Sequence, residues 1–177
     1  MNIPNIITIF RFLLVPIFLI LLSHDPPFMR AALAVFIIAG LSDAADGFIA
    51  RRAGNVSKLG AFLDPMADKI FIISSFTALA ILGLVPLWIT IIVAARDFFL
   101  FIGWLGLSVR GYHIHINPSK ISKFTAFLQM LTVGLVLIKF SHMQYIYYLT
   151  ALFTVISGGH YMLATLNELS RRERQGE

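Results

Sequence analysis

No cysteine occurs among the 177 residues, which excludes disulfides and thiolate metal sites. Histidine offers no replacement: His24, His113, His115, His142 and His160 show no spacing that gathers three ligands. Hard oxygen donors are what remain for a metal. Charge is scarce as well, with 13% of residues charged against 58% hydrophobic and a mean hydropathy of +0.84. That composition lies far outside the range of soluble domains and predicts an integral membrane protein. Internal repeats and low-complexity segments are missing, so the chain reads as one domain. The opening Asn2-Ile3-Pro4-Asn5 has no basic stretch, short apolar core and small-residue cleavage site, so the first apolar segment is expected to stay.

What the chain has in quantity is apolar segments of membrane length. Six of them, at approximately 5–24, 29–50, 58–84, 86–108, 119–141 and 143–169, come close to the roughly 20 residues that span a bilayer. Turn signals separate them, at Asp25-Pro26-Pro27, Gly54-Asn55, Gly83 with Pro86, and Gly111 through Asn117-Pro118. The expectation is an all-α domain of six transmembrane helices over residues 1–170 and a polar, frayed cytosolic tail over 171–177. The 16 phenylalanines fit lipid-facing helices.

A net charge of +5 and a pI near 9.8 do not point to nucleic acid here, because the basic residues gather in short stretches beside apolar spans. With the N-terminus inside, the inner loops and tail hold Arg51, Arg52, Lys58, Arg110, Lys120, Lys123, Arg171, Arg172 and Arg174, and the outer loops only Arg30 and Lys139. The positive-inside rule then puts both termini in the cytosol.

Acidic residues number only nine, and four of them sit in one hairpin. Asp43 and Asp46 lie at the inner end of the second segment, Asp64 and Asp68 at the inner end of the third. A carboxylate at the centre of a membrane helix costs roughly 2.5–3.5 kcal/mol on insertion scales, so four need something that binds them. Spacings of three and four residues put each pair on one helix face. The helix rise places Asp43 roughly 18 Å from Ala31 and Asp68 roughly 24 Å from Leu84, at similar depth below the cytosolic surface. Four ionised carboxylates this close are balanced by two divalent ions, and magnesium or manganese prefers such all-oxygen sites. A dinuclear site of this kind suits displacement at phosphorus.

Gly47 leaves room for close approach among the small residues Ala44, Ala45, Ala50, Ala61 and Ala67, and Arg51 is placed to hold a diphosphate by charge-assisted bonds. Pro65 either kinks the third helix or marks its first turn with Asp64 as N-cap. The competing structural reading pairs the aspartates with Arg51, Arg52, Lys58 and Lys69 as ion pairs.

The pattern D-x2-D-G-x2-A-R-x8-G-x3-D-x3-D, carried by Asp43, Asp46, Gly47, Ala50, Arg51, Gly60, Asp64 and Asp68, resembles the signature of the CDP-alcohol phosphatidyltransferases. The likeness extends to the stretch Asn2 to Arg11 with Pro16, to Leu63 through Lys69, to Pro86-Leu87-Trp88 with Arg96-Asp97, and to Lys123 and Gln129. It implies the six-helix fold of that family and a homodimeric enzyme of the bacterial cytoplasmic membrane, with its active site facing the cytosol. Such an enzyme moves a phosphatidyl group from CDP-diacylglycerol to an alcohol and releases CMP. By the resemblance, Asp43, Asp46, Asp64 and Asp68 hold two divalent ions, Asp68 is the base for the acceptor hydroxyl, and Gly47, Arg51 and Gly60 contact the nucleotide.

The acceptor leaves two readings. Arg96 and Lys123 suit the phosphate of glycerol 3-phosphate, and the opening stretch and chain length are similar to those of phosphatidylglycerophosphate synthases. Against that, Ser122-Lys123-Phe124-Thr125-Ala126 stands where those enzymes show Gly-Lys-x-Lys-Thr. Ile121-Ser122-Lys123 with Gln129 is similar instead to cardiolipin synthases, whose acceptor is the lipid phosphatidylglycerol. Structural readings remain for both side chains, an ion pair with Asp97 for Arg96 and a flanking charge for Lys123. Gly158-Gly159 marks either a close approach of a neighbouring helix or subunit, or a bend. A divalent-cation transporter would also need intramembrane carboxylates, but the second half of the chain offers only Asp97 as a counterpart to the hairpin.

Overall fold

The computed structural model describes the backbone of residues 3–24, 28–53, 58–109 and 120–175, and the side chains of 10–24, 28–42, 69–103 and 120–164. Six helices account for nearly all of it: α1 (Ile3–Ser23), α2 (Met29–Ala53), α3 (Lys58–Ile81), α4 (Leu87–Val109), α5 (Lys120–Leu137) and α6 (Met143–Gln175). No strand occurs among the described residues. The six expected segments correspond to these helices within a few residues at most ends.

Two ends differ from expectation for identifiable reasons, and the choice left open at Pro65 is decided. α3 begins at Lys58, so Pro65 lies inside the helix and Asp64 is not its N-cap. α6 continues past 170 to Gln175, because Glu168, Leu169, Arg171, Arg172, Glu173, Arg174 and Gln175 are mostly good helix formers and no breaker intervenes before Gly176. α5 stops at Leu137 rather than 141. Its carbonyls are closed by Lys139 N–H donating to Val136 O at 2.9 Å and Phe140 N–H to Leu135 O at 3.0 Å. This is a Schellman closure, which needs one left-handed residue, and Lys139 supplies it at φ 56°. α3 ends the same way with Gly83 at φ 69°, its N–H on Ala80 O and that of Leu84 on Leu79 O.

Glycine adopts this conformation without steric cost, whereas an L-residue gives up about 1–2 kcal/mol. Lys139→Gly is therefore expected to raise stability by up to about 1 kcal/mol, the rest being offset by the greater freedom of unfolded glycine. Thermal melting in detergent micelles checks this. A lowered midpoint would show that the Lys139 side chain contributes more than its backbone costs.

Helix packing divides the bundle into two trios. α1 lies against both α2 and α3, and α6 against both α4 and α5, with the trios joined along α2–α5, α3–α4 and α3–α5. The first trio closes around three rings, Phe18, Phe36 and Phe71, whose centroids stand 5.5–6.0 Å apart. Leu14, Leu22, Ala32, Ala39 and Phe76 fill the space around them.

The second trio is held differently. Thr132 and Thr150 share a hydrogen bond of 2.7 Å, Gln129 Nε2 donates to Thr154 Oγ1 at 3.2 Å, and Thr125 Oγ1 donates to Phe153 O at 3.1 Å. All these α5 and α6 hydroxyls are buried. Tyr147 ties α6 to the α3–α4 turn through its hydroxyl on Leu84 O at 2.8 Å.

Polarity thus runs inward and apolar surface outward. Ile81, Leu87, Phe99, Leu41 and Met162 are each more than 60% exposed, while Arg11, Asp97, Gln129 and the threonine ladder are buried. Among the described residues one helix, Lys120–Leu137, is long and apolar enough by composition to cross a membrane, with shorter apolar stretches at Phe10–Ser23, Met29–Ser42 and Lys69–Ile81.

Candidate active site

The signature residues all fall on two helices. α2 carries Asp43, Asp46, Gly47 and Arg51, and α3 carries Gly60, Asp64 and Asp68. Continuous helical backbone at these positions keeps each aspartate pair one turn apart on a common face. The side chains themselves, and hence the expected metal, base and nucleotide contacts, lie outside the described residues. Among the described residues no group of three His, Asp or Glu could hold a metal. As a donor set the four carboxylates fit hard divalent cations, since oxygen ligands alone suit magnesium or manganese and disfavour softer ions.

A cation that sequence reasoning quoted only within its opening stretch stands out in the structure. Arg11 of α1 is 2% exposed. The tight α1–α2 connection, in which Phe28 N–H donates to Leu21 O, puts Ile3 and Ala53 at one end of the bundle, and only residues 54–57 separate Ala53 from Lys58. Arg11, Asp43 and Asp68 each lie roughly 12–15 Å of helix rise from those ends. A buried positive charge therefore sits at the aspartates' depth, on the helix that packs against both of theirs. The available signal was a lone arginine inside an apolar span.

The second group of expected residues is resolved in detail. Arg96 of α4 has its side chain 10% exposed and donates from Nη1 to Asp97 Oδ1 at 2.5 Å. Its Nη2 reaches across to α6 and donates to Ser157 Oγ at 2.9 Å. Ser157 in turn lies 3.1 Å from Ser122 Oγ on α5. Gly158 lies at this approach: a Cβ there would stand 3.5 Å from Arg96 Cγ, in ordinary van der Waals contact. Of the two readings of Gly158-Gly159, close approach of a neighbouring helix holds for Gly158, while Gly159 has nothing near it.

Lys123, next to Ser122, is exposed at the start of α5. Gln129 is buried and bonded to Thr154. The structural pairing of Arg96 with Asp97 is thus present, and one guanidinium nitrogen, Nε, is buried with no hydrogen-bond partner. That leaves the guanidinium one N–H bond still to offer.

Beside this cluster an apolar groove of about 570 Å³ opens between α3 and α4, lined by Ile70, Ile73, Ala94, Phe98 and Phe101, with Lys69 and Asp97 in its wall. Hydrocarbon surface thus borders the residue that follows Asp68.

Paired aspartates on two consecutive helices that both pack on α1 match a known pattern over most of the chain. The family model for CDP-alcohol phosphatidyltransferase covers residues 1–156. The chain belongs to the CDP-alcohol phosphatidyltransferase family. It is 33% identical to a probable phosphatidylglycerophosphate synthase of Mycobacterium tuberculosis, over 95% of this chain and 83% of that one. It is 29% identical to the CDP-diacylglycerol–glycerol-3-phosphate 3-phosphatidyltransferase of Bacillus subtilis, over 90% and 93%. A CMP-forming cardiolipin synthase of Streptomyces coelicolor is 39% identical over 55% of this chain and 47% of its own. A CDP-alcohol phosphatidyltransferase is an enzyme of lipid synthesis at a membrane, which accounts for the apolar exterior and decides against a cation transporter.

Proposed function

We propose that this phosphatidyltransferase moves the phosphatidyl group of CDP-diacylglycerol to sn-glycerol 3-phosphate, forming phosphatidylglycerophosphate and CMP. One observation carries the choice of acceptor. The Bacillus subtilis relative named for glycerol 3-phosphate is matched across 90% of this chain and 93% of its own, whereas the Streptomyces coelicolor cardiolipin synthase is matched over 47% of its own length. The buried, partly unsatisfied guanidinium of Arg96 supports it, since a phosphomonoester is a dianion that a fork of N–H donors recognises.

In this reading all six helices cross the bacterial cytoplasmic membrane, with both termini and the aspartates toward the cytosol. The outward apolar side chains support it, as does the stacked pair Trp88 and Tyr148 near the first turns of α4 and α6, where interfacial aromatics belong. The protein acts as a homodimer.

Asp43, Asp46, Asp64 and Asp68 hold two magnesium or manganese ions, which when bound polarise the phosphate and offset the charge of the displacement. Arg51 binds the diphosphate of the donor, and Gly47 and Gly60 let the nucleotide approach the backbone. Arg96 and Lys123 bind the phosphate of the acceptor and fix its free hydroxyl toward the donor. Asp68 takes the proton of that hydroxyl as its oxygen bonds to the lipid-bearing phosphorus. The bond from that phosphorus to the bridging oxygen breaks, and CMP leaves with the electron pair.

Purified protein in detergent micelles, given CDP-diacylglycerol and magnesium or manganese, is expected to release CMP and form phosphatidylglycerophosphate when glycerol 3-phosphate is added. Product with phosphatidylglycerol alone would assign the second acceptor. Neither product, with metal flux in proteoliposomes, would remove the transferase reading.

A further inference from the structure

Arg96 is anchored at two points that belong to different helices. Asp97, its chain neighbour, accepts a hydrogen bond from Nη1, and Ser157 of α6 accepts one from Nη2. A guanidinium is planar, so fixing both terminal nitrogens fixes the plane and with it the direction of the Nε–H bond. Ser157 is fully buried, and while accepting from Arg96 it still has its own proton to give to Ser122 at 3.1 Å. The line Arg96, Ser157, Ser122 therefore crosses α4, α6 and α5, and at its Arg96 end Nε is buried without a hydrogen-bond partner. Gly158, beside Ser157, lies against the aliphatic stem of Arg96. None of this is needed merely to neutralise Arg96, which Asp97 already does.

We infer that Ser157, backed by Ser122, is a positioning residue for the acceptor: it turns the Arg96 guanidinium so that its Nε edge faces the phosphate of a small phosphorylated alcohol. The inference rests on the glycerol 3-phosphate reading given above. In this assignment Ser157 acts on the acceptor through its bond to Arg96. A lipid acceptor, held largely by its chains, would depend on that edge far less.

Steady-state kinetics of Ser157→Ala in micelles tests it. The KM for glycerol 3-phosphate is expected to rise about tenfold, with kcat and the KM for CDP-diacylglycerol near wild type, the pattern of lost ground-state binding at one substrate. Ser122→Ala, which removes the outer bond of this line, is expected to raise the same KM by a smaller factor, and it serves if Ser157→Ala fails to fold. Unchanged KM for glycerol 3-phosphate in both variants, or an equal rise in both KM values, overturns the positioning role while the acceptor reading stands. Wild-type enzyme that is inert with glycerol 3-phosphate yet active with phosphatidylglycerol overturns the acceptor reading and the inference with it.

Discussion

Asp68→Asn is expected to lower CMP release by about 10²–10⁴-fold or more, the range associated with losing a general base. The substitution keeps the volume of the side chain but removes both its charge as a cation ligand and its capacity to accept the acceptor's proton. The fold should survive. The packing of α3 against its neighbours rests on Phe71, Ile72, Ser75, Phe76 and Leu79, all buried and all beyond the substituted residue. In the absence of metal the variant should even melt no lower than wild type, because an intramembrane carboxylate costs roughly 2.5–3.5 kcal/mol that the amide does not. Turnover close to wild type, measured beside a melting curve, would take Asp68 out of the chemistry. Lost turnover with a collapsed melting transition would make the residue structural instead.

Asp97→Ala should be the most damaging single change to stability among the described polar residues, at about 3–5 kcal/mol. Asp97 is 4% exposed and is the sole carboxylate paired with Arg96 among the described residues. Removing it leaves a buried guanidinium held by Ser157 alone, and the penalty is that of an unmatched charge rather than of one lost bond. The same argument makes a second change informative. Arg96→Met together with Asp97→Leu removes both charges, and its stability should return most of the way to wild type although acceptor binding does not. Denaturation in micelles gives both numbers. A loss below about 1 kcal/mol in the single variant would mean that Arg96 reaches solvent or another anion, as a surface pair of that strength does.

The expected helices follow from a plain cause: runs of membrane length broken by Pro, Gly and Asn are hard to read any other way, and Gly83 closes α3 where its conformational freedom says it should. Lys139 was opaque because nothing in lysine's chemistry announces a left-handed residue. The aspartate pairs were legible as single faces, since three- and four-residue spacings are local. Helix α3 also resolves Pro65 as internal, which local sequence left open between two equally good positions. The Arg96–Ser157–Ser122 line was not legible at all. Its bonds join residues 61 and 35 apart in sequence, and no periodicity connects a serine on one helix with an arginine on another. Nor did the threonines of α5 and α6 stand out, because within an apolar span a threonine facing lipid and one facing its neighbour look alike until packing is known.

The contrast between the ring cluster of the first three helices and the hydroxyl ladder of the last three bears on how the molecule lives in its surroundings. An acyl chain can stand in for a phenylalanine face, but it has no proton to offer a threonine. Changes in the fluidity or thickness of the host bilayer should thus be absorbed by the half that carries the aspartates, while the half that grips Arg96 keeps its shape.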